Sequence, residues 1–101
     1  MNEAKKILVV EDESHLAKGL QFNLEREGYI VSLVDNGQSA IELLGEQVFD
    51  LMILDIMLPK LNGLEVARRV RKTDLRFPIL MLSAKSSDED RQLGLEAGAD
   101  D

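Results

Sequence analysis

The chain has 101 residues, 45% of them hydrophobic and 31% charged, the balance of one soluble domain with a modest core. Twelve basic residues against nineteen acidic ones leave a net charge of −7, which disfavours non-specific binding of this segment to DNA or RNA. Cysteine is absent and His15 is the single histidine, so disulfides, thiolate metal sites and histidine metal clusters are excluded. No apolar run approaches the ~20 residues of a membrane span. Met1 to Lys6 reads as a short polar tail and not as a signal peptide, so the expected compartment is the cytoplasm.

Lys6 to Val10 is a short, nearly all-apolar run, the pattern of a strand buried on both faces of a parallel sheet. From Ser14 to Glu27 the period becomes helical, with Leu16, Leu20 and Leu24 four apart, Ala17 beside them, and Gly28 at the helix stop. Tyr29 to Val34 reads as a second strand and Asp35-Asn36-Gly37 as a turn. Ala40, Ile41, Leu44 and Val48 then form a second helical stripe.

Leu51 to Leu54 is a third strand, closed by Asp55, and Pro59 to Gly63 a loop. Asn62 is placed to cap a third helix, with Glu65 as its capping-box partner and Val66, Ala67 and Val70 on the buried stripe. Pro78 opens a fourth strand, Ile79 to Leu82. Ser86 or Ser87 caps a fourth helix that ends near Gly98.

Strands alternating with helices predict an α/β fold, an open doubly wound parallel sheet with helices on both faces. Ligands of such sheets bind beyond the carboxyl ends of the strands, at a topological switch point. Glu11 and Asp12 follow strand 1, Asp55 ends strand 3, and Ser83 follows strand 4. If strands 1 and 3 are neighbours, three carboxylates converge, and their mutual repulsion favours a small hard cation such as Mg²⁺. One carboxylate, Asp55, then has the position of a nucleophile toward a phosphoryl group. The plainer alternative is that Glu11-Asp12 caps the next helix, that Asp55 is a turn residue, and that Ser83 is a loop or cap residue. His15, Lys60 and Lys85 read as solvated surface residues.

Taken in order, Ile7-Leu8-Val9-Val10-Glu11-Asp12-Glu13, Asp50-Leu51-Met52-Ile53-Leu54-Asp55-Ile56-Met57-Leu58-Pro59, Asn62-Gly63-Leu64-Glu65, Pro78-Ile79-Leu80-Met81-Leu82-Ser83-Ala84-Lys85 and Gly94-Leu95-Glu96-Ala97-Gly98-Ala99-Asp100-Asp101 resemble the receiver domain of bacterial response regulators. The second and third stretches are most similar to the subclass that precedes a winged-helix DNA-binding domain.

The resemblance implies a flavodoxin-like sheet of order 2-1-3-4-5 and two-component phosphorelay signalling, not metabolic catalysis. Asp55 would accept a phosphoryl group from a sensor histidine kinase and so switch an output domain. Asp12 and Asp55 would hold Mg²⁺ directly, Glu11 would act through water, and Met57 would offer its backbone carbonyl. Ser83 would donate to the phosphoryl oxygens, and the small Ala84 would leave the site open.

The family continues into a fifth strand and fifth helix carrying a lysine for which this chain, read as one incomplete receiver over residues 1–101, has no counterpart. An exposed strand-4 edge open to self-association and weak phosphorylation are expected from that. Two rivals share the fold class or the chemistry. A haloacid-dehalogenase-like phosphotransferase needs a second Asp where this chain has Met57, and a flavin- or nucleotide-binding module is opposed by Glu11-Asp12-Glu13. A third alternative is an inert or partner-completed piece serving in assembly or fusion.

Overall fold

A computed structural model describes residues 4–56, 58, 62–74 and 76–82. Strands β1 (Lys6–Val10), β2 (Ile30–Val34), β3 (Leu51–Asp55) and β4 (Ile79–Leu82) alternate with helices α1 (Ser14–Arg26), α2 (Gly37–Glu46) and α3 (Gly63–Thr73). All pairings are parallel and the order is β2-β1-β3-β4, the first four places of the expected order. The expected fourth helix and the residues beyond it lie outside the described residues.

β1 is central, and its alternation explains both cores. Leu8 and Val10 point to the face covered by α2 and α3, where they meet Met52, Leu54, Ala40, Val66 and Val70. Ile7 and Val9 point to the opposite face with Ile53, against Leu20 and Leu24 of α1. Leu8, Met52 and Leu54 are wholly buried, each worth about 1.5–3 kcal/mol in apolar transfer. Because β2 and β3 lie on opposite sides of β1, the winding reverses between β1 and β3, and a crevice is expected above that pair.

The helix ends follow local chemistry. Glu13 caps α1, its carboxylate accepting from the N–H groups of His15 and Leu16 at 3.1 Å. Gly28, at φ 95°, takes the left-handed conformation that stops the chain after α1. Asn36 and Asn62 cap α2 and α3, accepting from Ser39 N–H at 2.8 Å and Glu65 N–H at 3.0 Å.

Two expected core positions are corrected. Val48 is 84% exposed because α2 closes at Glu46, and the extended link after it turns Phe49 inward instead. Leu16 is 47% exposed, and Ala17 takes the buried place in the first turn of α1 instead.

Candidate functional site

Strand register assembles the site. Val10 lies opposite Leu54, so the next residue on each strand, Glu11 and Asp55, come side by side above the β1–β3 pair. The Glu11 N–H donates to Val34 O at 3.0 Å and the Ile56 N–H to Leu82 O at 3.1 Å, which prolongs the ladders of β2 and β4 past both carboxylates. Ligand-capable oxygens of Glu11, Asp12 and Asp55 all lie within 4.8 Å of one another. Glu11 and Asp55 are buried, at 5% and 9% exposure, while Asp12 faces solvent.

This arrangement is not a helix cap. That task falls to Glu13, whereas Glu11 accepts from the Glu13 N–H, at 3.1 Å, on the turn leading into α1. Burial pushes the Glu11 carboxyl above its ordinary value. The Glu13 N–H opposes the rise. The charge of Asp55, a side-chain hydrogen bond to Asp55 and the charge of Asp12 add to it. A cation among these oxygens would offset their mutual repulsion.

The donor set fits such a cation. Three carboxylates supply hard oxygen ligands, and Mg²⁺ needs only one or two of them beside water and phosphate oxygens.

A cavity of about 470 Å³ adjoins Glu11 and Asp12, lined also by Ser14, Lys18, Asp35 and Ser39. None of these four was singled out by its spacing, because the cavity arises only where the starts of α1 and α2 meet above β1 and β2. His15 is exposed, in line with a solvated role. Met57, Ser83, Ala84, Lys60 and Lys85, all placed near the site on sequence grounds, lie outside the described residues.

One contact was not foreseen. A Cβ built on Gly63 would stand 2.2 Å from the backbone oxygen of Asp55. Its only sequence signal was a glycine directly after the Asn62 cap.

Residues 7–101 match the family model of the response regulator receiver domain. The chain is 52% identical over 97 residues to the alkaline phosphatase synthesis transcriptional regulatory protein PhoP of Bacillus subtilis, covering 96% of this chain but 40% of that protein. It therefore spans about two fifths of that relative's length. Among solved structures, the receiver domain of a Francisella response regulator superposes with a TM-score of 0.89 at 30% identity, covering 96% of this chain and 80% of that one. A chemotaxis protein of Vibrio cholerae does so with a TM-score of 0.90 at 30% identity, covering 96% and 82%. Sequence, strand order and acidic crevice agree: the chain belongs to the response regulator receiver domain family of two-component signalling proteins.

Proposed function

We propose that Asp55 accepts a phosphoryl group from a phosphohistidine of a sensor histidine kinase, in a reaction that needs Mg²⁺ held at Glu11, Asp12 and Asp55. The observation that carries this reading is the convergence of those three carboxylates, two of them buried, at the switch point of a receiver-family sheet. An Asp55 carboxylate oxygen attacks phosphorus, the P–N bond to the donor imidazole breaks, and its electron pair returns to the ring nitrogen. Mg²⁺, when bound, neutralises charge on the transferring oxygens. Asp12, exposed at the mouth, is a direct ligand and the first carboxylate an arriving ion meets. Glu11, deeper beside Asp55, holds the ion through water.

The backbone carbonyl of Met57 completes the ligand set, the Ser83 hydroxyl donates to the phosphoryl oxygens, and Ala84 keeps access open. The domain, residues 1–101, thus assists its own phosphorylation and dephosphorylation without turning over a metabolite. It acts in the cytoplasm on an output domain that regulates transcription, a role supported by its similarity to a transcriptional regulatory protein of Bacillus subtilis.

The test is a titration with beryllium fluoride plus Mg²⁺, a stable mimic of the aspartyl phosphate, followed by amide NMR. Saturable shifts centred on Asp55, Asp12 and Ile56, absent in Asp55→Asn, support the reading. A folded chain that ignores the mimic contradicts it.

A further inference from the structure

We infer that Gly63 is a positioning residue for the phosphoryl acceptor: its missing side chain lets the start of α3 seat directly on the backbone of Asp55 and sets where that carboxylate stands. The inference rests on the reading of Asp55 as acceptor. Gly63 is buried, and a Cβ there would lie 2.2 Å from Asp55 O, 2.8 Å from Ile56 Cα and 2.9 Å from Asp55 C. All three are backbone atoms, so no side-chain rotation relieves the contact. Gly19 and Gly45, by contrast, have nothing within 4 Å of such a Cβ.

The contact is drawn tight from both sides. The Gly63 N–H donates to Ile56 O at 3.0 Å, closing the loop that follows Asp55, and the Ile56 N–H is tied to Leu82 O at 3.1 Å. α3 cannot retreat freely, because Val66, Ala67 and Val70 are buried in the core and Asn62 caps its first turn. A methyl group at Gly63 must therefore push the Asp55–Ile56 backbone, α3, or both, by roughly 1 Å to reach an ordinary contact. The Glu11 and Asp12 carboxylates follow β1, not the β3 end that meets Gly63, and so do not share that contact. Gly63→Ala thus separates the acceptor from its two partners. Displacement of a reacting group by about 1 Å can cost on the order of 100-fold in rate, and loss of outer support to a metal site about 10- to 100-fold in affinity.

The experiment compares wild type, Gly63→Ala and the control Gly45→Ala in the full chain, at a temperature where circular dichroism shows all three folded. Mg²⁺ affinity is read from amide shifts of Asp12 and Ile56, and acceptor rate from labelling by acetyl phosphate with Mg²⁺. Gly63→Ala is expected to bind Mg²⁺ at least about tenfold more weakly and to label at least about tenfold more slowly, with Gly45→Ala at the wild-type values. Wild-type affinity and rate in a folded Gly63→Ala overturn the inference while leaving the acceptor reading intact. A wild type that itself takes no label at Asp55 overturns the acceptor reading and the inference with it. Should Gly63→Ala fail to fold, amide exchange of the wild type decides. Loading with Mg²⁺ and beryllium fluoride must slow exchange at the Gly63 N–H as well as at Asp12, and an unchanged Gly63 overturns the inference.

Discussion

Replacing Asp55 with Asn should stabilise the metal-free protein, although it destroys the proposed acceptor. The carboxylate oxygens of Glu11, Asp12 and Asp55 lie within 4.8 Å of one another. Two unit charges at that separation repel by about 3 kcal/mol at an effective dielectric constant near 20. Glu11 relieves part of this by holding a proton more tightly than usual, because it is buried and because Asp55 stands beside it. The gain from Asp55→Asn at neutral pH in a chelator should then be about 1–2 kcal/mol, or ~5–10 °C in thermal midpoint for a domain of this size.

The sign of the pH dependence follows from the direction of the Glu11 shift. Its folded value is raised, so its contribution to stability is complete below the ordinary 4.5 and is lost as pH rises through the folded value. The variant's advantage should accordingly shrink on acidification toward pH 4.5 and grow above it. Mg²⁺ at about 100 times its dissociation constant should add ~2.7 kcal/mol to wild type and far less to the variant, reversing the order. Thermal melts followed by circular dichroism, with chelator and with Mg²⁺, measure both effects. An Asn variant less stable than wild type in chelator, or stabilised equally by Mg²⁺, would refute the reasoning.

Three further outcomes are expected. Asp12→Asn should weaken Mg²⁺ binding by about 10- to 100-fold with little change in metal-free melting, because Asp12 is exposed; calorimetric titration checks this. Mg²⁺ affinity should rise with pH through the raised titration of Glu11, with protons released on binding, and Glu11→Gln should flatten that dependence in titrations run in buffers of different ionisation enthalpy. Leu54→Ala should cost about 2–5 kcal/mol in urea unfolding because Leu54 is wholly buried, whereas Val48→Ser, at an exposed position, should stay within about 0.5 kcal/mol.

Much of this fold is written in local pattern. β1, β3 and β4 are apolar runs with turn chemistry at their ends, and their observed limits fall where the runs do. Periodicity was less reliable at helix margins. Val48 fits the α2 stripe by spacing, yet the helix has already closed, and a stripe cannot announce where its own hydrogen bonding stops. The caps divide the same way. Asn62 was visible because a polar residue precedes a clear apolar stripe, while Glu13 was hidden among three consecutive acids of which any could have served.

The site shows the same limit at a larger scale. That Glu11, Asp12 and Asp55 matter was readable from their places after strands, but their meeting depended on β1 and β3 being neighbours, a property of topology. The Gly63 contact depended on two segments closing against each other to atomic distance, and residue type alone records only that a side chain is missing there.

The central claim is that Asp55 is the phosphoryl acceptor. Incubation with acetyl phosphate and Mg²⁺, followed by mass spectrometry of the intact chain and its peptides, tests it most directly. The account predicts a mass gain of one phosphoryl group, located at Asp55, dependent on the divalent ion and absent from Asp55→Asn. A label on another residue, or one that survives in Asp55→Asn, would contradict it.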